Sequence, residues 1–264
     1  MLSKKDYDDS WEAIEGHISK RKQQRRNQFV AGSAMATAAI FLLIFNIYSP
    51  MTLNRRSGDE QTNVVLQDDS RIYLNKNSTL IYPKSFEDTT ERRVSLEGEA
   101  FFEVERDEKV PFKIIVDEAE VQVLGTSFNV RSRESENQIE VFVKTGKVEF
   151  GKGNKTVVLT PNEMGIYDKA SEAVVKKTLT DSNSLAWHSK KMVFDKSRFI
   201  EIEKTLYKVF GYQMKVDNPN IYNCALTSTI EFETIEDALQ ILEATIGATF
   251  VLDGDKILVS GDGC

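Results

Sequence analysis

The chain has 264 residues, 41% of them hydrophobic and 28% charged, with a formal net charge of −7 at pH 7. That composition is too apolar for a disordered chain and leaves room for one or two cored domains beside a membrane segment. The charge is uneven: residues 1–48 carry seven Lys/Arg against five Asp/Glu, leaving −9 on the remainder, which disfavours nucleic acid or anionic lipid as its ligand. With two histidines (His17 and His188) and two cysteines (Cys224 and Cys264), the sequence offers no zinc spacing or His-based catalytic constellation, and no cofactor is expected. A Cys224–Cys264 bridge and two free thiols are both open, because sequence does not supply the Cα spacing a disulfide requires.

The first element in chain order is a short helix. Ser3 and Asp6 have capping-box spacing, and Tyr7, Trp11, Ile14 and Ile18 then recur at helical intervals, with Asp8, Asp9, Glu12 and Glu15 on the other faces. Fewer than thirty residues cannot build a core of their own, and the acidic opposite face suits a protein groove better than a lipid surface. Tyr7, Trp11, Ile14 and Ile18 are therefore the expected partner-binding residues, with an inert juxtamembrane helix as the competing reading.

Residues 29–48 form an uncharged apolar run that spans about 30 Å as a helix, the hydrocarbon thickness of a bilayer. Lys20, Arg21, Lys22, Arg25 and Arg26 crowd its N-terminal flank, which puts residues 1–28 in the cytoplasm by the positive-inside rule. A cleaved signal peptide competes, but the stretch 46–50 has no small-x-small cleavage site. The expectation is a single-pass protein of the cytoplasmic membrane with its C-terminus in the periplasm, and residues 49–61 read as a linker.

From residue 62 to 170 the pattern is all-β. Ten short β-rich runs (64–66, 71–74, 80–82, 93–104, 112–116, 121–124, 128–130, 139–143, 148–150 and 156–159) are separated by turn signals, as in a sandwich or solenoid-like domain. The longest alternates: Val94, Leu96, Gly98, Ala100, Phe102 and Val104 share one face, and Ser95, Glu97, Glu99, Phe101, Glu103 and Glu105 share the other. The first face is expected in the core. The second, with its row of carboxylates, is expected to be solvated.

After a second linker at 171–190, residues 191–264 read as a small α+β domain of order βαββαββ. Phe199, Ile202, Leu206 and Val209 make one helical stripe ending at Gly211. Ile235, Ala238, Leu239 and Leu242 make another, capped by Thr234 and Asp237 and ending at Gly247. The strands near Lys191–Asp195 and at 256–259 are candidate edges for adding a partner strand.

Four stretches of the β region, 65–83 (VLQDDSRIYLNKNSTLIYP), 94–104 (VSLEGEAFFEV), 123–130 (VLGTSFNV) and 159–163 (LTPNE), resemble in order the blocks of the FecR family of periplasmic signal-transducing anti-sigma factors. The βαββαββ order is similar to the secretin and TonB short N-terminal domain. The resemblance implies a transmembrane regulator, anti-sigma or pro-sigma, that couples a TonB-dependent outer-membrane receptor to an extracytoplasmic-function sigma factor, with no enzymatic activity. It also implies possible self-cleavage at Gly125–Thr126, where a hydroxyl lies beside its own backbone carbonyl. A structural envelope protein that docks periplasmic partners is the alternative function.

Overall fold

In a computed structural model of the protein, residues 52–179 and 182–264 are described. The expected tail (1–28) with Tyr7, Trp11, Ile14 and Ile18, and the expected span (29–48), lie outside the described residues. Among the described residues no helix is long and apolar enough to cross a membrane.

Thirteen strands make the first domain: β1 (Thr52–Arg56), β2 (Thr62–Val65), β3 (Arg71–Leu74), β4 (Thr79–Pro83), β5 (Arg92–Glu103), β6 (Phe112–Val116), β7 (Ala119–Val123), β8 (Ser127–Ser132), β9 (Gln138–Thr145), β10 (Val148–Lys152), β11 (Lys155–Leu159), β12 (Glu163–Asp168) and β13 (Ala173–Thr178). All belong to one connected sheet with two halves, β1-β4-β5-β6-β7-β10-β11 and β2-β3-β5-β8-β9-β12-β13. Strand β5 serves both. Its N-terminal part pairs with β4 and runs parallel to β6, whereas its C-terminal part pairs with β3 and β8.

The change of partners happens at Gly98, whose φ of +96° is open to glycine at little cost. A Cβ there would also lie 2.5 Å from Ser78 Oγ, which accepts the Glu99 N–H at 2.9 Å. Between the halves, one core gathers Val94, Leu96, Ala100 and Phe102 of β5 with Ile72, Ile114, Phe128, Val141 and Phe150. Phe102 stacks on Phe128 at 5.3 Å between centroids. Each such fully buried side chain contributes about 1.5–3 kcal/mol.

The ten expected runs correspond to β2–β11, and the core face of the longest is buried as read. Three strands were not anticipated. β1 lies in the expected linker 49–61, β13 lies in the expected linker 171–190, and β12 follows the turn at residues 161–162. β1 and β13 are almost wholly exposed and show no two-residue periodicity of burial. They are strands because β4 and β12 offer them unpaired backbone groups, a requirement that leaves no trace in hydrophobic pattern. Linker 171–190 also contains a 3-10 turn (Ser182–Leu185) and helix α1 (Ala186–Ser189).

The second domain runs β14 (Lys191–Arg198), α2 (Phe199–Phe210), β15 (Gln213–Val216), β16 (Ala225–Glu231), α3 (Ile235–Ile246), β17 (Thr249–Asp253) and β18 (Lys256–Ser260), the expected βαββαββ order. β14 pairs with β16, and β15 runs parallel to β18, which pairs in turn with β17. Gly211 (φ 85°) and Gly247 (φ 74°) end the helices in the left-handed conformation, and Thr234 and Asp237 cap α3 reciprocally. The helical stripes cover the strands in a second core of Phe194, Ile202, Leu206, Ile230, Leu242 and Ile257.

Neither candidate strand offers a wholly free edge. β18 is the middle strand of its sheet. On β14, the Asn183 carboxamide accepts the Val193 N–H at 2.7 Å and donates to the Val193 carbonyl at 2.8 Å, imitating an added strand at that residue.

Cys224 and Cys264 form a disulfide with their Cα atoms 5.1 Å apart. It closes a loop with a sequence separation of 40, for which chain entropy gives about 4 kcal/mol of stabilisation. Reduction should therefore lower the denaturant midpoint of the second domain, followed by near-ultraviolet dichroism or hydrogen exchange of β15–β18, and leave the β1–β13 domain unchanged.

Candidate functional site at the domain junction

The face of β5 expected to be wet is where the two domains meet. Glu97 and Glu105 are exposed, but Glu99 is 3% exposed and Phe101 is fully buried. Burying a carboxylate costs several kcal/mol unless its oxygens are matched, and Glu99 is matched on both. Asn129 Nδ2 donates to Oε1 at 3.0 Å, Asn75 Nδ2 donates to Oε2 at 3.0 Å, and Arg133 Nη2 reaches Oε2 at 3.2 Å. Arg131 Nη1 lies 3.5 Å from the same oxygen.

The cluster extends into the second half of the chain through Trp187. Trp187 of α1, itself 3% exposed, donates its indole N–H to Asn129 Oδ1 at 3.2 Å. Its carbonyl accepts Gln61 Nε2 at 3.3 Å. Asn129 thus donates to Glu99 and accepts from Trp187, so the carboxylate fixes the amide orientation that the indole reads. Next to it, His188 stacks on Phe101 (4.3 Å, 24°) and contacts Tyr73 at 4.6 Å. Burial holds the imidazole below its ordinary pKa, against the opposing pull of Glu103.

Arg131 has a second partner. It donates to Glu136 from Nε at 2.9 Å and from Nη2, a two-point contact on one carboxylate. Burial works against both charges. The hydrogen bond nonetheless lowers the Glu136 pKa, and the carboxylates of Glu136, Glu99 and Glu140 raise that of Arg131. Beyond this pair a cleft of about 990 Å³ opens between Gln138, Glu140 and Asp168 on one wall and Ile200, Lys204, Tyr207 and Lys208 of α2 on the other, with Met214 of β15. Its lining mixes both charges with an exposed Tyr207. Among the described residues no group of three His, Cys, Asp or Glu side chains is placed to hold a metal.

Gly125 and Thr126 lie between β7 and β8. Thr126 is 4% exposed and its hydroxyl donates to the Lys147 carbonyl at 3.0 Å. Gly125 has no positive φ; it is required because a Cβ would come within 2.6 Å of the Arg106 backbone.

Sequence reasoning missed Glu99, Asn129, Trp187 and His188 as a group. The one available signal was Phe101, an aromatic residue in the middle of a face otherwise read as charged.

The FecR protein model matches residues 54–149, and the FecR C-terminal model matches residues 191–259. The chain belongs to the FecR family. Two crystal structures of a candidate anti-sigma factor from Parabacteroides distasonis ATCC 8503, at 2.50 and 1.65 Å resolution, are similar to it at 26% sequence identity and a TM-score of 0.60. The likeness covers 81% and 80% of this chain and 100% of each of theirs. None of the curated proteins compared matches the chain. In this FecR-family chain, Trp187 and His188 fall between the two matched stretches, whereas Glu99 and Asn129 lie inside the first.

Removing Glu99 leaves the buried Asn75 and Asn129 amides without their acceptor, while Arg131 keeps Glu136. Glu99→Ala should cost about 1–3 kcal/mol in urea unfolding. The Trp187 emission spectrum should shift to the red in native buffer as the indole loses its ordered acceptor.

Proposed function

We propose that the chain is a transmembrane regulator of a sigma factor: residues 1–28 contact the sigma factor in the cytoplasm through Tyr7, Trp11, Ile14 and Ile18, residues 29–48 cross the inner membrane, and the two described domains lie in the periplasm. There they read the state of a TonB-dependent outer-membrane receptor. The observation that carries this reading is the tandem of the two FecR models, on a chain similar over four-fifths of its length to a candidate anti-sigma factor.

Two further observations support the orientation. The Cys224–Cys264 disulfide suits an oxidising compartment and would be unusual in the cytoplasm. The basic residues Lys20, Arg21, Lys22, Arg25 and Arg26 stand on the opposite side of the apolar run. A single helix buries an interface at the low end of the roughly 1,200 Å² of specific complexes, so the contact is modest in affinity and either sign of regulation is open to it.

Affinity capture with the detergent-solubilised full-length chain from its native host should recover one sigma factor, and Trp11→Ala with Ile14→Ala should lose it. Equal recovery by wild type and variant, or recovery of no sigma factor, rejects the assignment of the tail.

Self-cleavage at Gly125–Thr126 belongs to the same reading. It requires Thr126 Oγ1 to leave the Lys147 carbonyl and attack the Gly125 carbonyl carbon; the Gly125–Thr126 C–N bond breaks, the Thr126 nitrogen takes up the hydroxyl proton and leaves as an amine, and water then hydrolyses the resulting ester to the Gly125 carboxylate and the free Thr126 hydroxyl. Purified wild-type protein should then run as two fragments and Thr126→Ala as one chain; identical patterns from the two would remove the site from the mechanism.

A further inference from the structure

We propose that His188 is a proton-operated latch: in its neutral form it holds α1 on the outer face of the first domain, and its protonation releases α1 and loosens the junction between the domains. The argument starts from geometry. The imidazole lies in an aromatic stack, 4.3 Å from Phe101, 4.6 Å from Tyr73 and 5.6 Å from Trp187. Its immediate chain neighbour is the indole that bonds to Asn129, so a shift of His188 pulls on the hydrogen bond that joins α1 to the buried Glu99 cluster.

The groups facing the ring decide how it responds to a proton. From β5, Glu103 attracts an imidazolium, but that carboxylate already accepts the Tyr73 hydroxyl of β3 at 3.3 Å. From β9, Lys144 repels it, and so does Lys190 from the segment that carries His188. An aromatic face normally welcomes a cation. Here the Phe101 ring already has one, since Lys144 Nζ lies 5.5 Å from its centroid. Burial and two lysines outweigh one engaged carboxylate and lower the pKa of the ring.

The sign follows from linkage. Released α1 exposes His188 to water, where it titrates near its ordinary value of 6.5, while the docked ring titrates lower. The released state thus binds more protons. Docking is at full strength above that ordinary value and weakens as pH falls towards the lowered one, by up to about tenfold in the opening equilibrium for each pH unit within the window.

Trp187 reports on the latch directly. The chain has two tryptophans, and a Trp11→Phe background leaves Trp187 as the sole emitter. Lifetime-resolved acrylamide quenching, measured on the full chain in detergent from pH 8 to pH 5, reads the exposure of the indole independently of static quenching by a neighbouring imidazolium. The expected result is a quenching rate constant that rises several-fold below pH 6.5 and reverses on neutralisation. His188→Phe, which keeps the stack without the proton, should give a flat profile, as should His188→Gln if the phenylalanine variant does not fold. A flat profile in the His188 protein overturns the proposal, and so does an equal rise in the variants.

Discussion

The buried carboxylate of Glu99 is the constraint on which the arrangement of the two domains depends. A carboxylate 3% exposed is tolerable only with both oxygens matched, and the match draws Asn75 from the β3–β4 turn, Asn129 and Arg131 from β8, and Arg133 from the segment after it. Apolar burial would hold the same surfaces together without fixing their register, because it is non-directional. Hydrogen bonds to a fixed carboxylate are directional, and here they orient Asn129, the amide that the Trp187 indole engages.

That arrangement explains why β5 is built as it is. Its inward face supplies Val94, Leu96, Ala100 and Phe102 to the first core, as any alternating strand would. Its outward face supplies Glu99 and Phe101 to the junction. Gly98 lets the strand change partners just before Glu99, and Ser78, pressed against that glycine, takes up the Glu99 N–H. The kink that joins the two halves of the sheet is thus also the kink that aims the carboxylate.

Much of this fold was legible in the sequence, for identifiable physical reasons. Strands β2–β11 and the βαββαββ order show because each element buries one face, and burial leaves a two-residue or 3.6-residue period. Thr234, Asp237, Gly211 and Gly247 show because helix ends have few chemical solutions. β1 and β13 do not show, since their strand character comes from a neighbour's free edge. The junction was hidden for a different reason: Glu99 and Trp187 are 88 positions apart, and a row of glutamates on a strand reads as solvated until something covers it. Likewise the disulfide stayed open in sequence and is settled by the 5.1 Å Cα separation.

A continuous set of contacts runs from α1 to the N-terminal strand of the first domain. Trp187 and His188 rest on β5, β5 pairs with β4, and β4 pairs with β1, which begins one residue after position 51. Gln61, from the β1–β2 connection, also donates to the Trp187 carbonyl, so the start of the first domain touches the junction directly. Spatial continuity alone does not establish coupling; coupling needs an element with two states. The fully matched Glu99 cluster is poorly suited to that role, because opening it strands buried charge. α1 is better suited. It is a single helical turn of four residues that rests on the first domain through the indole bond to Asn129, the Gln61 bond to the Trp187 carbonyl and the imidazole stack, and its detachment leaves Asn75, Asn129, Arg131 and Arg133 on Glu99. A rigid charged cluster under a small helical turn lets the switch be altered at His188 while the Glu99 cluster keeps its partners, whereas a change at Glu99 reaches both through Asn129.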